Sequence, residues 1–178
     1  IKLLFEACFG SYKEFIYQVT LDPSMLDFLN LALSQKDTPD ENYAREVQEL
    51  FTVGKRPFAQ FTEKDVREIA RALVGWTYDY EKLVFSEGTQ SHVFFEDHNH
   101  DIGDKAFSSF YNNQTIKGKS GMDGQEELQE VVDMLFDTEE SGIYLCRRLY
   151  QFFVYPVLTP EIESQIISPL AQVFRDND

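Results

Sequence analysis

The sequence predicts a mainly α fold: one irregular domain over residues 1–178, built from about six or seven helices. Its centre, residues 76–121, reads as a loop-rich, insertion-like segment with room for a short β-hairpin. Three observations carry this prediction. Apolar residues recur at helical spacing on both sides of the centre, cap signals fall where those runs start and stop, and from Trp76 to Gly121 the periodicity fails. With 178 residues, 43% of them hydrophobic and 15% aromatic, the chain can bury a sizeable core.

The first helical stretch, about residues 1–19, offers Phe5, Phe9, Phe15, Ile16 and Val19 and is interrupted at Gly10. A second helix should open at Asp22, an N-cap residue followed by Pro23 in the first turn, where a missing N–H costs nothing. Met25, Leu26, Phe28, Leu29 and Leu33 would form its apolar side. The third opens at Thr38-Pro39-Asp40-Glu41, read as a capping box, and carries Tyr43, Val47, Leu50 and Phe51 to a stop at Gly54. In the fourth, Thr62 is the N-cap and Asp65 stands at N3. Val66, Ile69, Ala70, Leu73 and Val74 then fit the helical template without a miss before Gly75. Short helix–helix connections favour antiparallel neighbours, so the third and fourth helices are expected to pair and bury Val47, Leu50, Phe51, Ile69 and Leu73.

In the centre, aromatic and polar residues mix, with Gly88, Gly103, Gly118 and Gly121 as punctuation. Residues 92–95 and 115–117 have strand character, and the ring content argues against disorder. Helices resume at Asp123 with Leu128, Val131, Val132, Leu135 and Phe136 in phase. Another covers about 141–154, where Tyr150, Phe152, Phe153 and Tyr155 read as core rather than as a ligand cage. The last opens at Thr159-Pro160 and carries Ile162, Ile166, Leu170, Val173 and Phe174, with a kink expected at Ser168-Pro169.

A net charge of −15 and no Lys/Arg stripe argue against nucleic acid and anionic membrane surfaces; they leave room for a divalent cation or a basic partner. No apolar run reaches the ~18 residues that a bilayer-spanning helix needs. Cys8 and Cys146 read as two buried free thiols, although a disulfide in an exported protein is the alternative.

Chemistry has two candidate locations. Asp97, His98, Asn99, His100 and Asp101 alternate oxygen ligands as a calcium loop does, but Ile102 stands where such a loop needs Gly and Ser108 where it needs Glu. The same run offers histidines to a transition metal, with His92 or Glu96 completing the set. A tight polar turn that bonds its own backbone is the plainer reading, and no cofactor is predicted on it. The second location is the polar face of the third and fourth helices: Asn42, Arg45, Glu46 and Glu49, then Asp65, Arg67, Glu68 and Arg71. The i, i+4 pairs Asn42/Glu46 and Arg45/Glu49 share a face. There is no G-x-S-x-G elbow, P-loop or G-x-G-x-x-G, so nucleophilic and nucleotide chemistry lack support.

Residues Asn42–Glu46 and Asp65–Glu68, closing on Gly75-Trp76, resemble the hallmark of a bacterial family catalogued as domain of unknown function 1800. Tyr12–Phe15, Asp22–Leu26, His100–Lys105 and Cys146–Val154 resemble further segments of it in the expected order. In Asn42, Arg45, Glu46, Glu49, Asp65, Arg71, Gly75, Trp76, Gly103 and Lys105 the resemblance implies a structural motif, with a buried ion-pair network between the two helices. It also implies that relatives run longer at both ends, so the chain reads as a fragment, and it hints at export. The favoured function is a non-catalytic structural or protein-interaction module of a larger exported protein. The rival is a metal-dependent enzyme, such as a hydrolase, that uses the 97–105 turn.

Overall fold

The computed structural model describes residues 2–85 and 92–177, so the Gly88 punctuation lies outside the described residues. The fold is mainly α, as the sequence predicts, and among the described residues it carries two small antiparallel two-stranded sheets where a single short hairpin is expected. Gly10 does split the first stretch, into α1 (Lys2–Ala7) and α2 (Tyr12–Thr20). Phe5 and Phe9 are exposed rather than part of the core, and Cys8 on the same surface is an exposed free thiol. Helix α3 (Pro23–Phe28) starts at the Asp22 cap, whose carboxylate accepts from Ser24 N–H. It ends early at a left-handed Asn30, which leaves Leu26 buried and turns Phe28 and Leu33 outward.

Helix α4 (Asn42–Glu46) opens at Glu41 without a side-chain cap, so the expected Thr38 capping box does not form. Asp40 supplants it: its carboxylate accepts from Asn42 N–H at 2.8 Å, an Asx turn that serves the same donors from nearer by. The helix then widens into a π-turn over Val47–Thr52, in which Val53 N–H donates to the Gln48 carbonyl five residues back. Val47, Gln48, Thr52 and Val53 thereby face the core, and Leu50 is 48% exposed instead of buried. Gly54 follows at φ +85°, the left-handed stop anticipated for it.

Helix α5 (Glu63–Leu73) forms as predicted, with both halves of the Thr62–Asp65 capping box present. Val66, Ile69, Ala70 and Leu73 are buried. Gly75 at φ +113° swings the chain into β1 (Trp76–Tyr78), and a side chain there would collide with the Phe95 ring. β1 pairs with β2 (Val93–Phe95) through Trp76↔Phe95, and α6 (Tyr80–Phe85) leaves from its end. β3 (Lys105–Ala106) pairs with β4 (Thr115–Ile116). The centre is therefore more structured than its lack of helical period suggests. Its Phe95, Phe107, Tyr111 and Ile116 belong to the main core.

Helix α7 (Glu126–Phe136) buries Leu128, Val131, Val132 and Leu135 against that core. Helix α8 (Glu139–Phe153) starts at the Thr138 cap. A second, smaller cluster of Cys146, Ile167 and Ala171 joins α8 to the C-terminal helix. That helix runs as α9 (Pro160–Ile162), a π-turn over Glu163–Ile167 and α10 (Ser168–Asn177). The irregularity thus precedes Ser168-Pro169, where the proline cannot donate to the ladder. The extra residue of the π-turn moves the buried face to Ile167 and Ala171, so Ile166, Leu170 and Val173 are exposed. The aromatic end of α8 also departs from expectation: Phe152 and Phe153 are 82% and 74% exposed, and Tyr155 is exposed as well.

Leu73 is fully enclosed between α5 and the rest of the core. Leu73→Ala is expected to cost about 2–5 kcal/mol in urea unfolding, the usual range for a large-to-small change at a closed site. Phe153→Ala should leave stability nearly unchanged. A Leu73 loss below about half a kcal/mol would contradict this packing.

Candidate functional site

The polar residues singled out in the sequence converge on helix α5, which the segment 97–108 clamps at both ends. At its N-terminus Asp65 is fully buried. Asp65 Oδ2 accepts from Thr62 N–H (2.7 Å), Thr62 Oγ1 (2.8 Å) and Ser108 Oγ (2.7 Å), while Oδ1 accepts from Ser108 N–H (2.7 Å). One carboxylate thus caps the helix and fixes the distant loop, a role for Ser108 that no local pattern signals.

At the other end, Arg71 grips Asp101 with a two-pronged fork, Nε to Oδ2 at 2.7 Å and Nη2 to Oδ1 at 3.0 Å. Its Nη1 donates to Glu68 (2.6 Å) and to the Asp104 carbonyl (3.2 Å). Asp101 Oδ1 also accepts from Gly103 N–H at 2.8 Å, as the turn reading anticipates. Burial works to raise the Asp101 carboxyl, but the Arg71 hydrogen bonds and the Gly103 N–H outweigh it and hold it below the usual carboxylate range. Gly103 is not in the positive-φ region expected for it; the Arg71 guanidinium passes 2.6 Å from where a Cβ would stand, so space makes the demand there.

Between these clamps lies a closed ion pair. Lys105 and Glu127 have no exposed side-chain surface, and Lys105 Nζ stands 2.6 Å from Glu127 Oε2 in a close contact that is not an aligned hydrogen bond. Lys105 also donates to the Asp101 carbonyl. Glu127 Oε1 accepts from Lys119 N–H at 2.8 Å and lies 3.1 Å from Nε2 of the equally buried His100. His100 Nδ1 donates to the Val74 carbonyl at 2.7 Å, at the end of α5. Burial works to raise the Glu127 carboxyl; the contact with His100, the adjacent Lys105 ammonium and the Lys119 N–H outweigh it and leave it lowered. Sequence reasoning overlooked Glu127, yet a signal existed: it lies four residues before Val131, a charge on the apolar stripe of α7.

The candidate metal set does not gather. Asp97 and His98 are exposed on a 3₁₀ turn, Asn99 bonds Ser34 and Lys36, His100 points into the core and Asp101 faces Arg71. Among the described residues, no three His, Cys, Asp or Glu side chains form a group able to hold a metal ion. The α4 face also differs from the buried network expected of it. Arg45 does pair between the helices, in a fork on Glu63 at 2.6 and 3.0 Å with Glu41 at 3.3 Å. That pair is at the surface, however, with Arg45 32% and Glu63 72% exposed. Glu49 pairs with Lys55 at 2.9 Å, Glu46 is partly buried outside both pairs, and Asn42 is exposed. Trp76 is buried against Phe95, ring centroids 5.2 Å apart.

This geometry ties together the two stretches, 42–76 and 100–105, that carry the resemblance. Residues 2–178 match the family described as Protein of unknown function (DUF1800). The chain belongs to that family. No curated protein and no solved structure matches it. Of the residues singled out, Asp65 and Arg71 bond α5 to the central segment, and Lys105 bonds that segment to α7.

Two outcomes follow from the depth of these pairs. Lys105→Ala and Glu127→Ala should each lose about 3–5 kcal/mol, because each strands a buried charge. Arg45→Ala should leave the melting temperature nearly unchanged, since exposed pairs contribute little. The reverse ranking in thermal melts would contradict the assignment. The lowered Asp101 and Glu127 carboxyls also fix a pH dependence. A carboxyl lower in the folded than in the unfolded chain stabilises fully above its unfolded value of about 4, and that stability is lost as pH falls through the folded value. Wild type should therefore lose stability steeply below about pH 5, and Glu127→Gln, weaker at neutral pH, should show a shallower loss. Parallel slopes in urea titrations from neutral to acid pH would remove Glu127 from this role.

Proposed function

We propose that this chain is a structural and protein-interaction module of a larger, exported bacterial protein. One observation carries the reading: the chain turns a ridge of aromatic and aliphatic side chains outward at the end of α8. Phe152 and Phe153 stand edge to face, 4.8 Å apart, and Val154, Tyr155 and Val157 follow them, all exposed. Covering such side chains gains about 1.5–3 kcal/mol each, and exposed apolar patches mark interaction sites far more often than chance. The engagement of His100, Asp101 and Lys105 with the chain's own groups supports a non-catalytic role for the turn. The family resemblance supports the bacterial and exported setting.

A photo-crosslinking residue at Phe153 of the full-length protein in its native host is expected to capture a discrete protein species. The same probe at exposed, polar Gln172 should not, and Phe152→Asp should abolish the adduct. No adduct at 153, or the same adduct from both positions, would sink the reading. Calorimetric titration with zinc and with calcium tests the rival. Micromolar binding that disappears in His98→Ala would favour a metal-dependent enzyme at the 97–105 turn instead.

A further inference from the structure

A groove of about 700 Å³ opens between the π-turn of α4 with its following loop on one side and α8 with the 158–163 segment on the other. Apolar groups line its base: Val53 and Leu158, with the Phe58 ring exposed to it. Its walls are held in place from within. Tyr144 lies against Gly54, so closely that a Cβ there would stand 2.5 Å from the ring, and its hydroxyl donates to the Leu50 carbonyl at 3.0 Å. Arg147 lies over the Phe58 ring at 4.1 Å, and its Nε–H is shared between the two Glu163 carboxylate oxygens at 2.8 and 3.0 Å. Both π-turns among the described residues border this groove, through Glu49 and Leu50 and through Glu163, and such turns recur at functional sites.

The charge of the groove runs against that of the chain. Four of the 16 Lys and Arg residues line it, in a protein of net charge −15. Lys55 is neutralised by Glu49 and Arg147 by Glu163. Arg56, from the loop wall, and Arg148, from α8, are exposed and make no hydrogen bond or ion pair with the described residues. Glu140 is the remaining acid of the lining, so the unpaired groups sum to one positive charge. Guanidinium groups that stay unpaired at an apolar groove are suited to fork carboxylates, and those bonds strengthen as water leaves.

We infer that this groove docks an extended acidic peptide segment of a protein partner. Its carboxylates pair with Arg56 and Arg148, and an aromatic or aliphatic side chain between them lies on Phe58 and Leu158. This rests on the interaction-module reading and names the chemistry of one partner site. The groove is flanked by the Phe152–Val157 ridge through Gln151 and Leu158 but takes none of its lining from that ridge, so substitutions can disable one without the other.

Fluorescence anisotropy on the full chain, with labelled hexapeptides that combine Asp and Glu with Phe, Leu or Tyr, tests the inference. A matched set carrying Lys and Arg serves as control. Acidic members are expected to bind with micromolar Kd, to weaken as salt rises, and to lose at least about tenfold in Arg56→Glu/Arg148→Glu. Both arginines are exposed and unpaired, so the double variant should melt at the wild-type temperature. Absence of binding, equal binding of the basic set, indifference to the double variant or equal displacement by free glutamate would each overturn the inference. A dimer in sedimentation that occupies the groove and blocks the peptides would overturn it as well. A Phe153 adduct that persists through such a failure would leave the module reading standing.

Discussion

Burying Lys105 is the constraint on which the rest of the structure depends. A fully enclosed ammonium has to meet an opposite charge and further acceptors, or the fold loses several kcal/mol. Glu127 supplies the charge from α7, and the Asp101 carbonyl supplies an acceptor from the turn. Glu127 must in turn be satisfied, which recruits His100 and the Lys119 backbone; His100 then reaches the end of α5 through Val74. Glu127 stands on α7, Val74 at the end of α5, and His100, Asp101, Lys105 and Lys119 on the central segment, so α7 cannot leave that segment without exposing a charge and α5 is tied to the same network. The hydrophobic core sets how tightly these elements pack. The ion pair sets which way they face.

Most of the fold was legible in the sequence where the helix period stays regular. Thr62–Asp65 and the run from Val66 to Leu73 read correctly because capping and the 3.6-residue stripe agree there. The errors at Leu50 and along Ile166, Leu170 and Val173 share one cause. A π-turn adds a residue to a helical turn, so every position past it is displaced from the face a straight helix would give it. No residue type announces a π-turn, so the shift cannot be read from spacing. The exposed Phe152 and Phe153 failed for another reason: periodicity says which residues share a face, but not whether that face is covered.

The candidate site was legible in kind and not in depth. The reading of His100–Lys105 as a turn that serves folding rests on side-chain lengths and acceptors local to the turn, and the Asp101–Gly103 bond and the reach of Lys105 follow it. The Arg45 pairing followed from charge as well, but its surface position did not, because sequence complementarity is blind to burial. Glu127 and Ser108 needed tertiary contacts across 22 and 43 residues from Lys105 and Asp65, which no local pattern encodes.

The two π-turns that defeat the sequence reading also shape the surface. By moving Leu50 and Ile166 outward they rotate polar and apolar groups that a regular helix would have directed elsewhere, and Glu49, Leu50 and Glu163 come to border one groove. The π-turn is rare in helices and recurs at functional sites, and here one stands on each side of the same opening. The groove is braced through Tyr144 to the Leu50 carbonyl and through Arg147 to Glu163, contacts that fix its walls before anything enters. A braced wall lowers the ordering cost of binding, which is the usual advantage of placing recognition groups on a stiff frame. Stiffness in the buried polar clamp and pre-organisation at the open groove are then two consequences of one arrangement: charges closed off inside, and guanidinium groups left unpaired outside.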